Sequence, residues 1–293
     1  MNGKDRLTAP AMLTLVALCT IWGVNMVAIK ISNRGLAPAT AAALRSAVAS
    51  ALLMVWMRRR GIPLFHRGKV ALWGGWAGIL FGLEFLLLYA GLDRTSASRG
   101  VVLLYTSPFF VAAGAHFYLP GDRLTWRKTL GLLLAFAGVS AVMGQHALTF
   151  DAETIAGDTL AIGAGAAWGL TTLVIKKHLA GRIEAIQSLH YQLFFSLFLL
   201  VPAAIILEPR PILDFTAGTA LALGYQCIVV ALFSYLTWFV LIHRYPASRV
   251  ASFSFFAPVM GVLAGGLLLN ESWPPALLFG LAGVAAGIFF VNR

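Results

Sequence analysis

Two tryptophan residues at matching places in a repeated pattern are the first candidates for chemistry. The pattern W-G-x5-I-K begins at Trp22 and begins again at Trp168. Each tryptophan falls near the middle of a long apolar run, too deep for the aromatic belt at a membrane–water interface. A ring at that depth can form the wall of a binding site for an apolar or aromatic ligand. The alternative is that each ring only packs beside the glycine that follows it.

Polar side chains one turn beyond each tryptophan could anchor such a ligand. Asn25 follows Trp22, and Thr171 follows Trp168. The asparagine amide offers donors and an acceptor, which suits an α-amino-carboxylate group. Either side chain could instead form a hydrogen bond between helices.

Aromatic residues make up 12% of the chain and supply further candidates for a mainly apolar binding site. The candidates outside the repeated pattern are Tyr105, Tyr191, Tyr235 and Trp238. Stacking on rings would favour aromatic cargo, although a flat cation would also bind there. In a regular helix Gln226, Ser234 and Tyr235 do not share one face with Trp238, so not all of them can line a cavity.

Arg45 and Glu84 are the charged residues deepest in the apolar runs. Each lies about seven or eight residues from the expected outer end of its segment, or roughly 10–12 Å deep at 1.5 Å per residue. A charge at that depth is a functional candidate by default. The two could bind the charged ends of a substrate, or Glu84 could carry a coupling proton. The role that we favour from the sequence is mutual neutralisation in a salt bridge.

The elements that must position these side chains are membrane-spanning helices. Of the 293 residues 59% are hydrophobic and 11% charged, whereas a soluble domain carries roughly 25% charged residues. A helix needs about 20 apolar residues to cross a bilayer. Ten segments qualify: 8–31, 38–57, 69–92, 95–119, 126–144, 156–176, 185–207, 216–241, 246–269 and 274–292. We expect an all-α polytopic membrane protein without metal or cofactor, because the two cysteines have no zinc or disulfide spacing.

The net charge of +11 follows the membrane topology. Sixteen lysine and arginine residues fall on the side of the N-terminus, against four on the other side: Arg34, Arg94, Arg99 and Arg210. The positive-inside rule then predicts that both termini are cytoplasmic. Anionic lipid, and not nucleic acid, is the expected partner of the basic charge.

Internal repeats predict two halves of opposite orientation. The two W-G-x5-I-K patterns are 146 residues apart, Pro108 and Pro258 follow matching A-S-R patterns 150 apart, and Asp122 matches Glu271 at 149. Five segments in each half bring the second half into the membrane from the opposite side. We expect an inverted repeat of residues 1–149 and 150–293, an arrangement typical of secondary transporters. The two prolines would kink the fourth and ninth helices and could act as gating points or as static bends.

These repeats make the chain resemble the drug/metabolite transporter superfamily with two EamA repeats. The resemblance covers essentially the whole chain and rests on the W-G-x5-I-K pair, the S-R…P pairs, and the acidic residue with trailing glycines before each final helix. Within the superfamily the chain is most similar to the YddG-type exporters of aromatic amino acids. The resemblance implies ten helices, a bacterial inner membrane and outward transport of aromatic amino acids. Asp122 stands where glutamate is usual, which we interpret as a loop detail.

The sequence as a whole predicts a secondary transporter that exports aromatic or other apolar amino acids by alternating access. Export of another metabolite or of a cationic drug is an alternative, and an unpaired Glu84 would favour cations. A passive channel, a membrane enzyme and a receptor subunit are weaker alternatives. The sequence contains no G-x4-G-K-[ST], H-E-x-x-H or G-x-S-x-G pattern, so we expect neither an enzyme nor a primary pump. The substrate, the coupling ion, the direction and the oligomeric state are left open.

Overall fold

Helices form all the regular structure in the described part of the chain. The computed structural model describes residues 7–92, 94–95, 97–143, 151–269 and 275–292, with the backbone alone at 97–99, 143 and 269. The α-helices in these residues are α1 Ala9–Ser32, α2 Pro38–Arg59, α3 Lys69–Leu92, α4 Ala97–Leu104, α5 Ser107–Tyr118, α6 Trp126–Met143, α7 Ala152–Val174, α8 Ala185–Leu207, α9 Ala217–Tyr225, α10 Tyr235–Arg244, α11 Ala247–Ser252, α12 Phe256–Leu269 and α13 Leu277–Asn292.

Short segments of other helical types join some of these helices into longer rods. The π-helical segment Ile175–Leu179 extends α7, and the π-helical segment Gln226–Ser234 joins α9 to α10. The 3-10 segment Phe253–Phe255 joins α11 to α12.

The helices confirm an all-helical polytopic membrane protein. Eight stretches of the described residues are long and apolar enough to cross a membrane: Ala9–Ser32, Pro38–Arg59, Lys69–Leu92, Gly100–Tyr118, Ala152–Leu179, Ala185–Leu207, Ala217–Arg244 and Ala247–Leu268. Leu277–Asn292 is a shorter apolar helix. The remaining predicted segment, 126–144, coincides with α6, which is 18 residues long.

Two of the predicted spans are interrupted, at equivalent places in the two halves. A turn interrupts the α-helical pattern at residues 105–106, between α4 and α5, and a 3-10 turn interrupts it between α11 and α12. Pro108 and Pro258 lie just after these interruptions. A proline disrupts the preceding helical turn, because it lacks an N–H and its ring clashes with the carbonyl four residues earlier. The sequence analysis expected kinks inside the helices. Instead, each proline lies in the first turn of a new helix.

Side chains bond to the backbone carbonyls at both interruptions. Thr106 Oγ1 donates to the carbonyl of Leu103 at 2.6 Å. In the other half the Cys19 thiol donates to the carbonyl of Phe253 at 3.1 Å. Such partners matter because hydrocarbon offers none to a free carbonyl.

Glycines bring α6 and α13 together as an antiparallel pair. Gly131 faces Gly287, and Gly138 faces Gly280. A Cβ atom on any of the four would lie 2.4–2.7 Å from the carbonyl oxygen of the glycine opposite. These are the glycines that recur 149 residues apart, so the repeated pattern produces one close crossing within the chain.

A second antiparallel pair, α2 with α8, is fixed at both ends. At one end the Glu208 carboxylate accepts hydrogen bonds from the backbone N–H groups of Ala39 at 2.7 Å and Thr40 at 2.8 Å. The carboxylate therefore caps α2, where the helix dipole favours negative charge. At the other end Gln187 Nε2 donates to the carbonyl of Pro63 at 2.9 Å.

The packing around each W-G pair also recurs in the two halves. A Cβ on Gly23 would lie 2.6 Å from Cβ of Met260, and a Cβ on Gly169 would lie 2.8 Å from Cβ of Phe110. Met260 and Phe110 are 150 residues apart, the spacing of the two proline patterns. Helix α1 therefore packs on α12 as α7 packs on α5.

Asp122 is more than the loop detail that the sequence analysis expected. It is buried, and it forms a salt bridge with Lys128 at 2.7 Å. Its carboxylate also accepts hydrogen bonds from the backbone N–H of Ser248 at 2.9 Å and from the Ser248 hydroxyl. Asp122 thus ties the start of α6 to α11 in the other half. Its sequence counterpart Glu271 lies outside the described residues.

Asp151 caps the N-terminus of α7, just outside the membrane-spanning segment. Its carboxylate accepts hydrogen bonds from the Thr154 backbone N–H at 2.9 Å and from the Thr154 hydroxyl at 2.8 Å. These bonds, the backbone one foremost, hold the pKa of Asp151 below its usual value. The cap is therefore ionised at neutral pH, and its contribution to stability disappears when the pH falls through that lowered pKa.

The α6–α13 crossing gives a test of the packing. Gly287→Ala places its Cβ 2.4 Å from a backbone oxygen, so the helices must separate, at a loss of about 1–3 kcal/mol. Gly224→Ala in α9 is the control, because a Cβ there meets no atom within 4 Å. Thermal unfolding in detergent should show a lower Tm for Gly287→Ala and an unchanged or higher Tm for Gly224→Ala. Equal melting temperatures would contradict the crossing.

Candidate functional site

Five aromatic side chains meet between the two halves. The ring centroid of Trp22 lies 5.0 Å from that of Trp238 and 6.2 Å from that of Tyr235. The ring centroid of Trp22 also lies 6.4 Å from that of Trp168, which lies 5.6 Å from that of Tyr105. We call these five rings the tryptophan cluster. The structure thus brings together five of the six aromatic candidates: Trp22, Trp168, Tyr105, Tyr235 and Trp238.

The glycine after each tryptophan helps to position these rings. Neighbouring residues lie about 100° apart around an α-helix. Gly23 contacts α12, so the ring of Trp22 is turned toward α7 and α10. Gly169 contacts α5, and the ring of Trp168 meets Trp22 and Tyr105. Tyr105 itself lies in the interruption between α4 and α5.

The π-helical segment Gln226–Ser234 delivers a polar partner to the cluster. Trp22 Nε1 donates to the hydroxyl of Ser234 at 2.9 Å, and that hydroxyl donates to the carbonyl of Val230 at 2.6 Å. The sequence analysis considered Ser234 but did not select it as a site residue, and it did not predict that this segment is π-helical. Single π-helical turns often occur at functional sites, but this one lies in a continuous apolar run with no visible signal.

Gln226, at the start of the same segment, does not join the cluster. Its Nε2 donates to the hydroxyl of Ser32 at 2.9 Å, whereas Tyr235 and Trp238 both contact Trp22. The sequence-based statement that not all of these residues can line one cavity is therefore consistent with the structure.

A row of rings on α3 extends the cluster. Phe81 lies 6.1 Å from Tyr235 and 5.0 Å from Phe85, and Phe85 lies 6.0 Å from Tyr89. The sequence analysis did not name these two phenylalanines. Their spacing of four residues, which puts both on one face of a helix, was the available signal.

Arg45 lies over this row of rings. Its guanidinium carbon is 4.4 Å from the ring centroid of Phe85 and 5.9 Å from that of Phe81, within cation–π range. Only 2% of Arg45 and 7% of Glu84 is exposed. Arg45 and Glu84 both lie in the ranges that the structure describes, and they do not form the salt bridge that we favoured from the sequence. Within the described ranges, Arg45 Nε, Arg45 Nη2 and Glu84 Oε2 have no hydrogen-bond partner.

The two polar candidates near the tryptophans differ in availability. Asn25 is buried, and its Oδ1 finds no partner in the part of the chain that the structure describes. The Thr171 hydroxyl donates to the carbonyl of Ala167 in its own helix at 2.9 Å. Asn25 can therefore still accept a hydrogen bond from a ligand through Oδ1, whereas the Thr171 hydroxyl already donates its hydrogen to a backbone carbonyl.

Tyr191 lies away from the tryptophan cluster. Its hydroxyl accepts a hydrogen bond from the backbone N–H of His66 at 2.6 Å, and its ring stacks 5.9 Å from Phe195. It packs on Gly74 in the first part of α3, about seven residues or roughly 10 Å along the helix from Phe81. The prediction that Tyr191 contacts substrate together with the tryptophans therefore lacks support.

The groups at this site are ones that can bind an organic ligand. No group of three or more His, Cys, Asp or Glu side chains among the described residues is placed to hold a metal ion. The groups that meet are aromatic rings and the guanidinium of Arg45, and the buried side chains of Asn25 and Glu84 each have an oxygen without a partner in the described ranges.

Comparison with known proteins matches one family over both halves. A model of the EamA-like transporter family matches residues 9–144 and, a second time, residues 155–293. The uncharacterized transporter YoaV of Bacillus subtilis (strain 168) is 24% identical over 286 residues, covering 95% of each chain. A probable amino-acid metabolite efflux pump of Escherichia coli (strain K12) is 25% identical over 298 residues, covering 99% of this chain and 95% of its own.

A solved crystal structure has the same fold. It superimposes with a TM-score of 0.83 at 20% sequence identity, and the match covers 97% of this chain and 96% of the other.

The hydrogen bond between Trp22 and Ser234 gives a test of the cluster. Ser234→Ala leaves a buried indole N–H without its acceptor, which should lower the free energy of unfolding by about 1–3 kcal/mol. In a Trp22→Phe background the same change should have little effect. Thr237→Ala is the control, since that exposed hydroxyl bonds only to the carbonyl of Phe233. Unfolding in detergent measures all four variants, and an equal loss in both backgrounds would argue against the bond.

Proposed function

Because this chain belongs to the EamA-like transporter family, we propose that it exports aromatic and other large apolar amino acids across the bacterial inner membrane. The observation that carries the proposal is the tryptophan cluster, with Arg45 and Glu84 beside it. The rings suit an apolar side chain, and the charges suit the polar end of an amino acid. The Escherichia coli relative, a probable amino-acid metabolite efflux pump, supports the same class of cargo.

The geometry of the cluster supports the proposal of aromatic cargo. The rings of Trp22, Trp168 and Tyr235 meet edge to face, with interplanar angles of 68° and 74° at Trp22. An aromatic side chain entering between them can make further contacts of the same kind, each worth about 0.5–1.5 kcal/mol.

We propose alternating access between two inverted halves, residues 1–149 and 150–293, with ten spans in which α6 and α13 are the fifth and the tenth. Helices α6 and α13 hold equivalent places in the two halves, and so do α2 and α8. Both pairs pack antiparallel, as an axis in the membrane plane requires. The interruptions before Pro108 and Pro258 are the proposed flex points, and Tyr105 in one of them contacts Trp168.

The polar ends of the helices support the proposed topology, with both termini in the cytoplasm. Lys128 donates to Ser248 at 3.0 Å, and Lys176 donates to the carbonyl of Ile242 at 2.7 Å. The positive-inside rule assigns all these residues to the same side. The bilayer, with anionic lipid at this basic end, is the proposed surrounding partner.

A cationic drug is the second candidate cargo, because the buried Glu84 carboxylate has an oxygen without a partner in the described chain. Arg45 beside the same rings opposes it. One positive and one negative side chain give a site without net charge, which favours cargo without net charge.

Counterflow in liposomes tests the proposed function. The purified protein, loaded with unlabelled tryptophan, should take up labelled tryptophan and phenylalanine in exchange, and the rate should saturate. Polar amino acids, nucleosides and organic cations should compete poorly. Runs with and without a pH gradient separate proton coupling from facilitated exchange. Exchange of cations without exchange of amino acids would discard the proposed substrate, and flux without saturation would indicate a channel.

The tryptophan cluster predicts which substitution impairs this exchange. Trp168→Ala removes contacts worth about 1.4 kcal/mol, so the concentration for half-maximal exchange should rise roughly tenfold. Trp76→Ala is the matched control, since that side chain is 51% exposed on α3 and should leave the value unchanged. Equal effects of both substitutions would contradict the assignment of Trp168 to the binding site.

A further inference from the structure

Arg45 and Glu84 are two buried charges that their surroundings leave incomplete. Atoms on both side chains lack a hydrogen-bond partner in the described ranges, and the two do not pair with each other. Taking an ionised group out of water costs several kcal/mol unless a partner replaces the water. Buried polar groups in folded proteins therefore nearly always have a partner. These atoms therefore need a hydrogen-bond partner that the described residues do not supply.

Both charges belong to the surface that the aromatic rings form. The guanidinium of Arg45 lies on the face of Phe85, and Phe81 connects that ring to Tyr235 of the tryptophan cluster. Glu84 is the residue before Phe85, and it interacts electrostatically with Arg45. A ligand with its side chain among the rings can therefore present a polar end to both groups.

We propose that Arg45 binds the α-carboxylate and Glu84 the α-ammonium group of the amino acid, so that the carrier selects zwitterions. This inference rests on the proposed function. A planar guanidinium presents paired donors that match a carboxylate, and its contact with Phe85 holds the plane in place. A carboxylate oxygen accepts from an ammonium group. Each ligand charge meets its opposite, and the site with its cargo is neutral.

The proposed selectivity follows from what an incomplete ligand leaves behind. An amine with the same ring would satisfy Glu84 and leave Arg45 buried without a partner. An acid with the same ring would do the reverse. A site built to bond a group rejects an analogue that lacks it, because its own buried polar atoms are left unpaired. We expect the wild-type protein to prefer the zwitterion over either analogue at least tenfold.

Competition in the counterflow assay tests the inference with three ligands that share the indole ring. Unlabelled tryptophan, tryptamine and indole-3-propionate compete with labelled tryptophan in liposomes. Arg45→Gln should raise the potency of tryptamine relative to tryptophan at least tenfold. Glu84→Gln should do the same for indole-3-propionate. Arg58→Gln and Glu153→Gln make the same changes on exposed residues and should keep the wild-type order.

Melting temperatures show whether a variant folds, and conservative variants test selectivity where a glutamine variant does not. Where a glutamine variant does not fold, Arg45→Lys and Glu84→Asp keep the charge and should weaken tryptophan exchange while the order of competitors is retained. Potency ratios that stay at the wild-type values in folded variants would overturn the inference. So would a wild-type protein that exchanges tryptophan and tryptamine equally well, and in that case the proposed function stands. Absence of amino-acid exchange in the wild type would overturn both.

Discussion

The contact of α1 with α12 at Gly23, and of α7 with α5 at Gly169, is the interaction on which the centre of the molecule depends. At both places backbone or Cβ atoms already occupy the space where a side chain would begin. The helices can approach closely only because the residue after each tryptophan has no side chain. The neighbouring ring is then turned into the middle, where Trp22 and Trp168 meet. Small residues at the helix contacts thus determine where the large ones meet.

The bilayer imposes a second constraint, since hydrocarbon leaves no water for polar groups. Backbone carbonyls at the interruptions bond to Thr106 and Cys19, the end of α10 bonds to Lys176, and the start of α2 bonds to Glu208. Against this background Arg45 and Glu84 stand apart, because they are a buried arginine and a buried glutamate that have atoms without a hydrogen-bond partner in the described ranges. The described residues provide partners for these helix ends and interruptions, and the chemistry that we propose lies where atoms of two buried charged side chains have none among them.

The sequence predicted the helical architecture well, and the site only in part. Apolar runs located the spans, and the repeated W-G pattern identified Trp22 and Trp168, because length and repetition are visible in one dimension. Which face of a helix points to the protein interior is not visible in the sequence, since lipid-exposed and buried faces are equally apolar. Tyr191 was therefore grouped with rings that it does not contact. Residue spacing does not show how helices are rotated against each other. The missing Arg45–Glu84 pair and the π-helical segment before Tyr235 both depend on that rotation.

The crossing of α6 and α13 has a consequence for how such a chain is built. Gly131 and Gly280 are equivalent positions, as are Gly138 and Gly287. The contact between Gly131 and Gly287 is therefore the same contact as that between Gly138 and Gly280, made a second time. One repeat carries both surfaces of this interface. Two half-length polypeptides of a single sequence could associate antiparallel through it without any new residue, so the contact has the two-fold symmetry of a homodimer interface.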